Sequence, residues 1–192
     1  MARPKEFDPD KAIDKAMDLF WLQGYAATSV QELCDCMGIN KGSFYDTFGS
    51  KRSLFLKTLD RYQELNAISP DLIRQAGSAK KAVEAIFMKL VEDSVFDKES
   101  RGCFMVNTIT ELAARDLHIA DIATTARQSY NELFYNLLLA GKENGEIRGD
   151  KDLRAMSHFL TNAIFGLRVI AKTTRDSAIL RGIVESNVSI LD

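Results

Sequence analysis

Apolar residues recur at intervals of three and four positions along most of the chain, which is the spacing of one face of an α-helix. The first such stripe runs from Ala12 to Trp21, and the last runs from Ile179 to Leu191. Segments that alternate apolar and polar residues, as half-buried strands do, are missing. The pattern therefore predicts an all-α protein of about nine helices.

Capping residues mark where these helices begin. Ser29 and Glu32 have the spacing of a capping box, in which two backbone N–H groups are satisfied reciprocally. The pair Ser69-Pro70 combines an N-cap residue with a proline suited to the first helical turn, and it is the clearest boundary signal in the chain. We therefore predict two domains, covering residues 6–66 and 67–192.

Residues 29–48 have the pattern of two short helices around a tight turn at Gly38. This arrangement is typical of a helix-turn-helix, in which the first helix braces the second and the second enters a major groove. Spacing alone fits two short helices of a bundle equally well.

The side chains of the second short helix suit contact with DNA. Gly42 and Ser43 are small enough for close approach to a sugar-phosphate backbone, Lys41 can reach a phosphate or a guanine, and Tyr45 is an amphipathic hydrogen-bonding group. The local charge agrees, because residues 36–58 carry four basic side chains and one acidic side chain.

Composition limits the remaining possibilities. The net charge of −2 over 192 residues indicates neither nucleic acid nor membrane as a partner. No apolar run has the roughly 18 residues of a membrane span, and the first residues do not resemble a secretory signal. Three cysteines, an odd number, favour a reducing compartment, so we predict a cytoplasmic protein without a membrane partner.

Arg3 and Lys5 form a short basic arm of the kind that reaches into a minor groove.

The run AIDKAMDLFWLQGYAATSVQELCDCMGINKGSFYDTFGSKRSLFLKTLD, residues 12–60, resembles the TetR family of transcriptional regulators. The matching features are Phe and Gly-Tyr at the end of the first helix, Ala-Thr-Ser, a Gly-Ile turn, Lys-Gly-Ser-Phe-Tyr, and a lysine before a leucine-rich helix. The run Asp46-Thr47-Phe48-Gly49-Ser50-Lys51 stands where many members have His-Phe and then Lys, and Asp46 bears on which base edges are read. The rest of the chain is similar to the family in helix number and length.

The resemblance implies an N-terminal three-helix DNA-binding domain and a C-terminal domain for effector binding and dimerisation. The partners would be double-stranded operator DNA of pseudo-palindromic sequence, a second copy bound through the last two helices, and an unidentified small-molecule effector that releases a repressor. By position, the residues on DNA, mostly on phosphates, would be Thr28, Ser29, Lys41, Gly42, Ser43, Tyr45 and Lys51.

The resemblance also places a pocket among the helices on either side of Gly102. The candidate lining residues are mostly aromatic or apolar, which fits a modest-sized organic effector better than a charged metabolite. They are Phe87, Met88, Val91, Cys103, Phe104, Asn107, Thr110, Glu111, Tyr130, Phe134, Asn162 and Phe165.

Other chemistry finds little support in the sequence. Cys34 and Cys36 are two positions apart on a predicted helix and point in different directions, so they are poor joint metal ligands. Cys103 stands at a predicted helix start, which favours a thiolate, although a small core residue is the simpler interpretation. There is no Ser/His/Asp set and no phosphate-binding glycine loop, so we predict no enzyme, metal or cofactor. The alternative function is a helical ligand-binding or thiol redox-sensing protein without a DNA role.

Overall fold

The computed structural model describes residues 7–192, and every regular element in that range is helical. The elements are α1 (Pro9–Gln23), α2 (Val30–Met37), α3 (Lys41–Phe48), α4 (Lys51–Leu65), α5 (Pro70–Ala76), α6 (Ala79–Phe96), α7 (Phe104–Leu112), α8 (Leu117–Glu143), α9 (Leu153–Ile170), α10 (Ser177–Val188) and a 3₁₀ turn (Ser189–Leu191). The all-α prediction is confirmed. The helix expected after Ser69-Pro70 is divided in two, because Gly77 adopts a left-handed conformation with φ 75° and Ser78 caps α6.

The chain forms two compact units, of which the first ends at Ala67 and the second covers Ile68–Asp192. In the first unit, α1 packs against α2 and α4. Its centre contains Phe20 and Phe55, whose rings meet edge to face with centroids 5.0 Å apart. Leu33, Phe44 and Leu59 are also completely buried, so each of the four helices contributes to one apolar core.

The second unit contains α5 to α10 and the final 3₁₀ turn. The long helix α8 packs along α9, and α6 packs against α5, α8 and α10. Phe87 from α6, Phe134 from α8, Ile164 from α9 and Leu180 from α10 are fully buried in their common core. Among the residues the structure describes, no helix combines the length and apolar character needed to cross a membrane.

Candidate nucleic-acid interface and effector region

Side-chain caps begin both α2 and α3, and a glycine ends α2 at the turn between them. The Ser29 hydroxyl accepts a hydrogen bond from the Glu32 backbone at 3.2 Å, and the Glu32 carboxylate accepts one from the Ser29 backbone at 2.8 Å. Gly38 ends α2 with φ 74°, and its N–H donates to the Cys34 carbonyl at 2.9 Å. The Asn40 side chain then caps α3 by accepting from the Ser43 N–H at 2.8 Å. The capping box predicted at Ser29 and Glu32 is therefore confirmed, and Asn40 is the corresponding cap of α3.

The helix α3 has one buried and one exposed face. Phe44 and Phe48 point into the core, with ring centroids 5.9 Å apart. On the opposite side, Lys41 and Gly42 are exposed, and Tyr45 keeps 51% of its surface accessible. The core thus holds α3 from behind and leaves its polar side open to a partner.

The other predicted DNA contacts differ in accessibility. Ser29 is exposed and Ser43 is half-buried. Thr28 is only 1% exposed, and its hydroxyl donates to the Gly24 carbonyl at 2.7 Å. Arg3 and Lys5 lie outside the described residues.

Lys51 is directed into the first unit. Its ammonium donates to the carbonyl oxygens of Tyr25 and Thr28, each at 2.7 Å, and lies 4.3 Å from the centre of the Tyr25 ring. Its positive charge is therefore engaged by the connection between α1 and α2.

The electrostatics of the α2 start follow from these contacts. Hydrogen bonds from Ser29 lower the pKa of Glu32, and the nearby charge of Lys51 contributes in the same direction. The carboxylate is therefore ionised at neutral pH, which suits a capping group in the first turn of a helix. Burial raises the pKa of the Cys34 and Cys36 thiols, which are therefore protonated at neutral pH.

In the second unit, four of the predicted pocket residues form a row of aromatic rings. Successive centroids lie 6.0 Å apart for Phe87 and Phe134, 6.5 Å for Phe134 and Tyr130, and 5.9 Å for Tyr130 and Phe165. The Arg168 guanidinium donates to the Tyr130 hydroxyl at 3.3 Å. The row joins α6, α8 and α9, and Met88 and Val91 belong to the same apolar cluster.

The polar residues predicted for the pocket are placed differently. The Asn107 amide is hydrogen-bonded on both sides, since it donates to the Arg101 carbonyl at 2.9 Å and accepts from the Lys172 ammonium at 3.0 Å. Thr110, Glu111 and Asn162 are exposed. Cys103 and Phe104 are buried where α7 begins, with 3% and 1% of their surfaces accessible.

Two other polar groups in this region are buried and were missed by sequence reasoning. The Thr108 hydroxyl on α7 and the Asn131 side-chain oxygen on α8 have no hydrogen-bond partner within the part of the chain that the structure describes. The two helices pack against each other. Buried polar atoms are nearly always satisfied in proteins, so these two are candidate hydrogen-bonding groups for a ligand.

Comparisons with known proteins agree with both units. The family model for bacterial regulatory proteins of the tetR family matches residues 12–58. The model for the tetracyclin repressor-like C-terminal domain matches residues 79–186.

Full-length similarity gives the same assignment. The HTH-type transcriptional regulator YezE of Bacillus subtilis is 34% identical over 194 residues, with 100% of each chain covered. The HTH-type transcriptional repressor ComR of Escherichia coli is 31% identical, covering 88% of this chain and 82% of its own. A cysteine-substituted variant of the TetR family regulator CifR, solved with 26-bp double-stranded operator DNA, is 28% identical, with a TM-score of 0.86 and 100% of each chain covered. These matches favour a DNA-binding regulator over an enzyme and over a ligand-binding or thiol-sensing protein without a DNA role: the chain belongs to the TetR family of bacterial transcriptional regulators.

Proposed function

We propose that two copies of this chain bind a pseudo-palindromic double-stranded operator and repress transcription until a small organic effector releases them. The observation that carries the proposal is the exposed face of α3, where Lys41, Gly42 and Tyr45 lie opposite the buried Phe44 and Phe48. Support comes from the repressor ComR and from the operator complex of CifR.

Each contact in the proposed DNA-binding set has a separate role. Lys41 reaches a phosphate or a guanine edge, Tyr45 hydrogen-bonds with its hydroxyl, and Ser29 and Ser43 contact the backbone. Gly42 allows the helix to approach closely, and it also leaves room for the α3 cap. A Cβ at Gly42 would lie 3.1 Å from the Asn40 side-chain oxygen, so a larger residue would press on that cap.

The proposed dimer uses the outward faces of α9 and α10. Phe159, Val169 and Ile170 on α9 and Ile179 on α10 are each at least 40% exposed. Two helices from each copy would form a four-helix interface about a two-fold axis. That axis would repeat the recognition helices about 34–36 Å apart, one turn of DNA.

The proposed effector binds beside the aromatic row. Its apolar body would contact Tyr130 and Phe165, which are only partly buried. The buried side-chain oxygens of Asn131 and Thr108 lack hydrogen-bond partners among the described residues. The polar end of the effector would donate a hydrogen bond to the Asn131 oxygen, and the Thr108 hydroxyl would donate to it or accept from it. An effector that binds more tightly to the DNA-free arrangement weakens operator binding by the ratio of its two affinities.

The DNA-binding proposal is tested with Lys41→Ala and Tyr45→Ala. Each variant should weaken binding to a duplex that the wild-type protein selects from a random pool, by about 1–3 kcal/mol where a base edge is read. The helical content and the mass of the protein in solution should stay unchanged, because both side chains are on the surface.

Lys98→Ala, an exposed lysine in the second unit, is the matched control and should bind as the wild type does. Unchanged affinity in both α3 variants would show that α3 does not read the operator.

A further inference from the structure

Lys51 occupies a position that is electrostatically unfavourable for a free cation. It is the first residue of α4, where the helix macrodipole is positive, and the first turn of α4 contains no acidic residue. A lysine here needs a source of negative potential elsewhere.

The connection between α1 and α2 provides that potential. The Tyr25 and Thr28 carbonyl oxygens each accept a hydrogen bond from the ammonium at 2.7 Å, and the face of the Tyr25 ring lies 4.3 Å away. Two of the three ammonium donors are therefore used on backbone acceptors. The side chain is half-buried, so these charge-assisted bonds are partly protected from water.

The residues held in this way immediately precede α2. Thr28 is followed by Ser29, the N-cap of α2 and one of the proposed DNA contacts. The Thr28 hydroxyl also donates to the Gly24 carbonyl. Together with the two hydrogen bonds from Lys51, this bond fixes the connection between α1 and α2 at both of its ends.

We infer that Lys51 is a positioning residue, which holds the start of α2 and its Ser29 in the geometry that the operator requires, and not a phosphate contact. The inference rests on the proposed operator binding. The family resemblance implies that Lys51 contacts DNA. The hydrogen bonds of its ammonium to Tyr25 and Thr28 support a positioning role instead.

The test compares Lys51→Met with Lys41→Ala. Methionine keeps most of the apolar stem against Tyr25 and removes the charge and both hydrogen bonds. Affinity is measured against salt concentration on the duplex selected by the wild type and on a random-sequence duplex, at a temperature where every variant is folded by circular dichroism.

Lys51→Met should weaken binding to the selected duplex by about tenfold, which corresponds to about 1.4 kcal/mol of binding free energy. It should weaken binding to the random duplex less, because backbone contacts such as that of Ser29 also fix the register in which base edges are read. It should leave the slope of log K against log salt unchanged. Lys41→Ala, if Lys41 contacts a phosphate, should reduce that slope by about 0.9. Hydrogen exchange at residues 25–29 should accelerate in Lys51→Met and not in Lys41→Ala.

Three results would overturn the inference and leave the proposed function intact. They are a slope reduced by about 0.9 in Lys51→Met, unchanged affinity on the selected duplex, and an equal loss on both duplexes. The first would identify a phosphate contact, and the last would indicate a general structural effect. The failure of the proposed function is separate, since it would appear as unchanged operator affinity in both Lys41→Ala and Tyr45→Ala.

Discussion

At the scale of single residues, hydrogen bonds to the backbone determine which charged side chains of the first unit are available to a partner. Lys41 and Lys51 begin successive helices, yet Lys41 is exposed while the ammonium of Lys51 is bonded to two carbonyl oxygens. Glu32 is exposed as well, but both hydrogen bonds of its capping box return to Ser29. Exposure and charge alone therefore do not identify a ligand contact.

The cap formed by Glu32 leads to a prediction about pH. The pKa of Glu32 is lowered in the folded protein, chiefly by hydrogen bonds from Ser29. A lowered pKa contributes stability that is fully present above the unfolded value of about 4.3, and it is lost as the pH falls through the folded value. Glu32→Gln should therefore unfold at a lower temperature than the wild type at pH 7, and the difference should disappear as the pH falls below about 4.

Thermal unfolding of both proteins between pH 7 and pH 3 measures this effect. In a Ser29→Ala background the same substitution should have a smaller effect, since the hydroxyl that shares the cap is gone. A difference between wild type and Glu32→Gln that stays constant down to pH 3 would contradict the assignment.

At the scale of helices, the sequence was most informative where the determining interactions are local. The caps at Ser29 and Asn40 could be predicted because each cap bonds to a residue three positions away. The orientation of α7 could not. Successive residues of a helix are rotated by about 100°, and Asn107 and Thr108 are both polar residues in an apolar run. Only the packing of α7 shows that Thr108 is buried while Asn107 reaches Arg101 and Lys172.

The orientation of α7 leads to a stability prediction. Thr108 is 1% exposed, and its hydroxyl has no partner among the described residues. Thr108→Val keeps the shape and removes a buried polar group, so the free energy of unfolding should rise by about 1 kcal/mol. Denaturant unfolding of the ligand-free protein measures it. If the hydroxyl serves the effector, the more stable variant should also need more effector for operator release.

Thr161→Val is the matched control on α9. Thr161 is 3% exposed, but its hydroxyl donates to the Ser157 carbonyl at 2.8 Å. Its replacement removes a satisfied hydrogen bond, so the free energy of unfolding should fall by about 1 kcal/mol. If both variants are destabilised alike, the Thr108 hydroxyl has a partner in the folded protein.

At the scale of the whole molecule, α9 and α10 each have a buried side and an outward side, and the sequence could not assign a role to the outward side. Their inward residues, such as Leu160 and Leu180, complete the core of the second unit. Asn162, predicted for the pocket, lies on the outward side of α9 with Phe159 and Val169. An amphipathic stripe shows that a helix is buried on one side, and it does not show whether the other side meets solvent or a second copy.

The outward side of α9 and α10 predicts the assembly state. Gly166 and Gly182 lie among its apolar residues, and a Cβ at either position would meet no atom within 4 Å, so a partner helix could approach closely there. We expect light scattering at micromolar concentration to give about 43 kDa, twice the chain mass of 21.5 kDa. Val169→Glu should shift the mass to that of one chain, because it would bury an unpaired charge at the two-fold interface.

Phe96→Glu and Leu117→Glu are the controls, since these residues are 81% and 84% exposed on other helices, and both variants should remain dimeric. A single-chain mass for the wild-type protein would refute the interface, and with it the need for a two-fold operator.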